Sequence, residues 1–420
     1  MIYDALIKHG RVLDPSTGLD DVRDVAILAG RVAAVDASIP ETSAYRVIDA
    51  SGLLVTPGLI DLHTHVFHGF SYWGVDPDVL GPRSGVTTWV DAGSAGGLTM
   101  GAFREHVARP ATVRIRSFIN IAAAGLVGPD FELVRPELVD DELTCQVAHQ
   151  NRDLVVGVKV RMGIPTAGDR GAQPMVNART VADRCELPIM VHISDAPPSI
   201  DEVLGFLGEG DMITHCYSGG SMKVVDAEGK PRESTRRAMD RGVLLDVGHG
   251  AGGMAFASAE AMIAAGFGPH TISTDMHQMS IYGPGILTND AAASAFIRVR
   301  AGTPPDFELP MCLSKFLAMG MDLSAVIAAA TSAPARVLGE ADRIGTLRPG
   351  AQADVAIFEL EPGSFEFHDT FGGVRIGSHR LRNVRTLIAG REPARDVPFH
   401  PAPWVDFATA EPPQSIGEQS

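Results

Sequence analysis

Eight short apolar runs set the tightest limit on what this chain can fold into. GLIDLHTHV, GVTTWVDAG, VRIRSFINI, LVVGVKVRMG, LPIMVHIS, DMITHCYSG, GVLLDVGHG and HTISTDMH all fall between residues 56 and 338, separated by helix-like stretches. Strands that are apolar nearly throughout and alternate with helices make a parallel sheet covered by its own crossovers. Eight such pairs predict a closed (β/α)8 barrel, an α/β fold. The flanks have a different texture. YDALIKHGRVLD, DVRDVAILAGRVAAVD and YRVIDASGLLVTPG near the start, and IGTLRPGAQADVAIFEL and VRTLIAGRE near the end, mix β-branched residues with Gly and Asp punctuation. Two β-rich ends therefore flank the barrel pattern. The last stretch, 399–420, carries Pro, Glu, Gln and Ser without periodicity and is expected to be loose.

Charge narrows the partners. A formal net charge of −16 makes nucleic acid and anionic membrane surfaces poor partners. The start, MIYDALIKHG, is broken by Asp4 and Lys8 before a signal-like apolar core forms, and no segment offers the ~18 uninterrupted apolar residues of a membrane span. A cytoplasmic protein with a small-molecule substrate is the expectation. Cys145, Cys185, Cys216 and Cys312 lack CxxC spacing, so buried free thiols are expected rather than disulfides or a zinc knuckle.

Polar residues gather where the apolar runs give out. Side chains alternate faces along a strand, so His63 and His65 point the same way, with Thr64 opposite. His192, His215 and Asp275 close three further strands. In parallel barrels that end is where catalytic groups collect, and four histidines with an aspartate match the nitrogen and oxygen ligands of zinc, manganese or iron. Lys159 raises a separate problem. The period of two places Gly157, Lys159 and Arg161 on one face, and burying two like charges costs several kcal/mol unless something neutralises them. Lys159 either pairs with a carboxylate or reaches out of the barrel mouth, or carbon dioxide carboxylates its amine to an anionic carbamate able to bridge two metals.

Taken together, VTPGLIDLHTH entering a barrel, a lysine on strand four, histidines closing strands five and six and an aspartate closing strand eight resemble the amidohydrolase superfamily. SGVTTWVDAGSAG, KVRM, DVGHG and STDMH are most similar to its dihydroorotase-like branch of amidohydrolases and deacetylases. The resemblance implies a small β-sandwich domain built from 1–55 and 339–398 around a barrel at 56–338. It implies that His63, His65 and Asp275 hold a buried divalent ion, that His192 and His215 hold a more exposed one, and that carboxylated Lys159 bridges them. Zinc is the first expectation for both ions, with manganese or iron as alternatives. Such metals would activate water for attack on an amide or ester carbonyl, and Asp275 would carry its proton to the leaving group. Deacetylation of an N-acyl amino acid or an O-acetylated hydroxy acid leads, and hydrolysis of a cyclic amide is the alternative. True dihydroorotases usually place an arginine two residues after the second histidine, where this chain has Phe67.

Substrate contacts are expected from four residues. Arg161 would take a substrate carboxylate in bidentate fashion, or pair with an interior acid such as Asp91. His249 would touch substrate or brace its turn; His277 would contact substrate or orient Asp275; Asn120 would donate a hydrogen bond. Trp73 and Tyr72 would wall the pocket or simply pack. Cys216 points away from the metals. A homo-oligomer is expected, and a non-catalytic scaffold is disfavoured because every ligand position is filled.

Overall fold

The computed structural model describes residues 2–278, 280, 308–395 and 397. The expected loose tail at 399–420 lies outside them. The terminal segments share one mixed sheet. Strands β1 (Ala5–Asp14), β2 (Leu19–Leu28), β3 (Arg31–Asp36), β4 (Val47–Asp49) and β5 (Leu54–Pro57) come from the start of the chain. Their apolar faces, among them Ile7, Val12, Val25, Ile27 and Val55, pack with Val355, Ile357 and Leu387 from the end of the chain.

The second sheet is wholly parallel. It runs in chain order through β6 (Leu59–Thr64), β7 (Val86–Gly96), β8 (Arg114–Asn120), β9 (Val155–Met162), β10 (Ile189–Ile193), β11 (Met212–Thr214) and β12 (Leu244–Leu245). Each crossover carries a helix or helical turn, including Gln173–Cys185 between β9 and β10, whose Ala178, Val181 and Ala182 are buried. Register places Lys159 beside Asn120 on one side and Met190 on the other, with His192 beside Arg161.

The expected eighth strand is reduced to two bridges. Thr271 pairs with Asp246 next to β12, and Met276 pairs with Thr64 on β6, so residues 271–276 sit between the first and last strands and give the sheet its barrel-type curl. A cause is visible at Asp275, whose φ of 50° is left-handed and breaks the extended run. Side chains hold the segment instead. Thr274 donates to Asp61 through its amide (3.0 Å) and hydroxyl (2.6 Å), and Thr271 and Ser273 donate to Asp246.

The two sheets are joined by a long arm. β13 (Val355–His368) pairs with β5 only through Val355–Phe358, and beyond that it runs with β14 (Val374–Leu387) as a two-stranded ribbon. From Phe358 to His368 the ribbon runs on for roughly 30 Å at ~3.3 Å per residue. The ribbon lies along the helix Leu309–Ala318, where the Ser314 hydroxyl accepts from Leu381 N at 2.9 Å. All four cysteines are buried, and Cys145, Cys185 and Cys216 are free thiols. Among the described residues, no helix is long and apolar enough to cross a membrane.

Candidate metal centre

The strand ends converge. One ligand atom each from His63, His65 and Asp275 lies within 4.8 Å of the others. Asp275 Oδ1 stands 3.2 Å from His63 Nε2 and 3.1 Å from His65 Nε2. His215 Nε2 faces His192 Nδ1 at 2.8 Å and Asp275 Oδ2 at 3.8 Å. Lys159 Nζ lies 3.2 Å from His63 Nε2 and 3.4 Å from Met190 Sδ. All six side chains named from the strand ends are therefore in one cluster. His215 and Asp275 both adopt positive φ, 59° and 50°, and non-glycine residues in that region are uncommon enough that their aim at the cluster rests on the surrounding hydrogen bonds.

Hydrogen bonds on the outer nitrogens set the tautomers of His63 and His215. His63 Nδ1 donates to Thr214 Oγ1 (2.7 Å), whose own hydroxyl donates to Asp246 Oδ2 (2.7 Å). His215 Nδ1 donates to the Gly248 carbonyl at 2.6 Å, and His65 Nδ1 bonds Ser94 Oγ at 2.9 Å. With the outer nitrogen carrying the proton, Nε2 of His63 and His215 is the lone-pair atom a cation needs. Glycines make the approach possible. A Cβ on Gly248 would strike Thr214 Oγ1 and sit 3.0 Å from Nδ1 of both His63 and His215, and one on Gly250 would strike Asp275 Oδ2. Donor set, tautomers and cradle fit a divalent ion.

Burial governs the electrostatics. It pushes His63 and His192 well below the usual imidazole value, and His215 and His277 down to about 4, so all four are neutral at pH 7. Burial also lowers Lys159 to about 7. Asp275 goes the other way from a desolvated acid. Burial would raise it, but His63, His65, His277 and His215 together hold its carboxyl well below the ordinary range. At neutral pH it is an anion.

A cavity of about 360 Å³ opens over the cluster, lined by His65, Trp73, Arg161, His192, His215, Asp275 and His277 among others. Of the four expected substrate contacts, two reach it. Arg161 does so while paired to Asp130 and Glu132, each at 3.4 Å, and stands 5.7 Å from the centre of the Trp73 ring. Asp91 is not its partner: that carboxylate accepts from Val66 N and Ser94 N. His277 also lines the cavity, with Nε2 3.9 Å from Asp275 Oδ2.

The other two do not reach the cavity wall. Asn120 is sealed, donating to Gly93 O (3.0 Å) and accepting from Ala122 N (2.9 Å), so its amide serves backbone rather than ligand. His249 is buried with Nε2 2.9 Å from Lys315 Nζ and Nδ1 3.1 Å from Gly250 O. Trp73 walls the cavity, Tyr72 packs edge-on against it, and Cys216 is buried elsewhere in the core. Leu126, Ser194, Ser218, Ala251 and Phe371 also line the cavity. They come from loops and from the hairpin tip, and the sequence offered no periodic signal for them.

A barrel-type parallel sheet with histidines and an aspartate converging at its strand ends defines a metal-dependent hydrolase. The chain belongs to the amidohydrolase family, whose sequence profile matches residues 54–397. It is 33% identical to a deacetylase of Agrobacterium fabrum over 86% of this chain and 84% of that protein. It is 31% identical to a deacetylase of Enterococcus faecalis over 93% of this chain and 99% of that protein. Two solved structures, one described as an adenine deaminase and one as a dihydroorotase, share the fold at TM-scores of 0.81 and 0.80. Both are 31% identical to this chain; the first covers 93% of it and 99% of its own length, the second 92% and 98%.

Proposed function

We propose that the centre holds two divalent ions, zinc in the first instance with manganese or iron as alternatives, and that the enzyme removes an acetyl group from an N-acyl amino acid or an O-acetylated hydroxy acid. Lys159 carries the two-metal reading. Its side chain is fully buried, and desolvation brings its amine to about 7, so near neutral pH much of it is the uncharged nucleophile that carbon dioxide requires. Carboxylation forms one N–C bond, releases one proton and turns a cation that would repel metals into a two-oxygen ligand. His63, His65 and Asp275 would hold one ion, His192 and His215 the other, with carboxylated Lys159 between.

Bound divalent metal supplies Lewis acidity and makes water acidic enough to attack at neutral pH. The chain's residues do the rest. Asp275 is anionic, adjoins both sets of histidines and is the group placed to accept a proton from water and return it to the leaving group. Arg161, at the cavity wall, addresses a substrate carboxylate, and Asp130 and Glu132 hold its guanidinium in place. The deacetylase relatives favour acyl transfer, and Phe67 supports them. It is buried against Phe70 and Phe103, where a dihydroorotase would need an arginine.

Cyclic amide hydrolysis is the second reading, favoured by the likeness to the structure described as a dihydroorotase. The small sheet is read as a β-sandwich of 1–55 and 339–398 beside a barrel of 56–338, and the protein as a cytoplasmic homo-oligomer acting on a small carboxylate-bearing molecule. A panel of N-acetyl amino acids, O-acetyl hydroxy acids, hydantoins and dihydroorotate, assayed with metal-loaded enzyme, tests the reaction. Turnover confined to the acetyl compounds is expected. Turnover confined to the rings would replace the deacetylase reading with the second one.

A further inference from the structure

The tip of the β13–β14 ribbon reaches the catalytic cavity. Residues 369–373 read DTFGG, and Phe371 is part of the cavity wall while remaining 40% exposed. It comes from the far end of the chain, on a strand pair that begins in the other sheet.

The tip is anchored to the segment after β12. Asp369 accepts from Phe256 N (2.7 Å), Phe371 N (2.8 Å) and Gly373 N (2.6 Å). Thr370 donates to Met254 O through both its amide (3.1 Å) and its hydroxyl (2.8 Å). Just beyond the turn, Arg375 makes two 2.6 Å bonds to Glu260 and lies over the Phe256 ring. The Phe371 ring rests on Gly219, where an added Cβ would come within 2.9 Å of it. A loop tip held at this many points presents its side chain in a fixed place.

The cavity is divided in character. Charged and metal-ligating groups, His65, Arg161, His192, His215 and Asp275, occupy one part, whereas Leu126, Ile193, Ala251 and Phe371 supply apolar surface. A scattered exposed phenylalanine needs no explanation, but one immobilised in the wall of a reaction cavity does. We infer that Phe371, carried in by the hairpin, is a specificity-determining residue that selects substrates with a hydrophobic side chain next to the scissile acyl group. The assignment rests on the acyl-carboxylate reading for its substrate class, and on the geometry of the tip alone for the apolar wall.

The test uses full-length, metal-loaded enzyme and matched pairs from two series: N-acetylleucine with N-acetylalanine, and 5-isobutylhydantoin with 5-methylhydantoin. In Phe371→Ala the preference in kcat/KM for the larger member should fall at least about tenfold, the scale of a few methylenes in a hydrophobic pocket. Gly219→Ala, which pushes on the ring without changing it, should lower the same preference. A parent enzyme active only on hydantoins would end the deacetylase reading, yet Phe371 would still be judged by the ratio within that series. Calorimetry of 4-methylpentanoate against acetate gives the same comparison without turnover, and the affinity gap should narrow in both variants. A ratio and a gap that stay at the parent's values in folded Phe371→Ala would overturn the inference. If that variant does not fold, unchanged values in Gly219→Ala would do so.

Discussion

The Lys159 amine lies 3.2 Å from Nε2 of His63, and both side chains are closed off from solvent. Since His63 gives its Nδ1 proton to Thr214, Nε2 is the acceptor and the lysine must donate to it. A cation cannot enter that gap while the ammonium holds the lone pair. On the two-metal proposal, metal uptake therefore requires the lysine to give up this hydrogen bond, which carboxylation of its amine would do.

It follows that metal content should depend on carbon dioxide. Protein loaded in bicarbonate should saturate near about two ions per chain, and loading under carbon dioxide-free conditions should lower that figure. Lys159→Ala should lose activity, with partial rescue by a short carboxylic acid. Lys159→Arg should stay inactive, because a guanidinium forms no carbamate. Metal analysis checks the loading and activity assays check the two variants, and a saturating value near one in bicarbonate would remove the two-metal reading.

The relay from Asp246 through Thr214 to His63 should tune the buried ion without touching it. Thr214→Val keeps the shape, removes the acceptor for His63 Nδ1 and should weaken that ion by about 10- to 100-fold in chelator competition. Asp246→Asn should do the same. Affinities equal to the parent's would mean that packing alone sets the ring.

Asp275→Asn separates holding from proton transfer. The amide keeps an oxygen near the histidines but accepts no proton, so kcat should fall by about 10² to 10⁴ with metal content largely kept. If turnover survives with metal in place, the proton shuttle lies elsewhere, with His277 the next group at the cavity.

The ligand cluster was legible because strand periodicity is a rigid rule. His63 and His65 share a face whatever surrounds them, and a polar residue ending an apolar parallel strand has few other places to go. Residues 271–276 were legible as a segment but not as a bridged one, since the positive φ of Asp275 depends on hydrogen bonds from distant parts of the chain. Arg161 shows where the rule stops. Its place on the strand follows from the period, but its partners Asp130 and Glu132 lie in a loop after β8 that no periodicity positions. Phe371 is further out of reach, because its position depends on the length of a hairpin rooted in the other sheet.

Arg161→Lys should raise KM for a carboxylate-bearing substrate by at least about tenfold, close to 1.4 kcal/mol, with metal content unchanged. A lysine keeps the charge but loses the fork that now spans two acids and the cavity. A neutral analogue of the same substrate should show little difference between parent and variant, and steady-state kinetics on the pair decides the matter. Equal losses on both would make Arg161 a structural residue.

The buried lysine should also leave a signature in the metal-free protein. Its amine titrates near 7 when folded and near its ordinary value of 10.5 when unfolded, so between those values the unfolded chain binds the extra proton. Stability of the parent therefore rises with pH across that window, as the cost of burying the ammonium disappears. Lys159→Met has no such group and should be the more stable protein at pH 7 in the absence of metal. Its advantage should shrink by on the order of 2 kcal/mol between pH 7 and pH 9, given about 1.4 kcal/mol per pH unit for one proton. Urea unfolding of both metal-free proteins at the two values measures the difference of differences, in which groups common to both cancel. An advantage that stays constant with pH would mean that the lysine does not titrate in this window and is held as an ammonium by an acid, and the carbon dioxide dependence expected of the metal centre would then lose its physical basis.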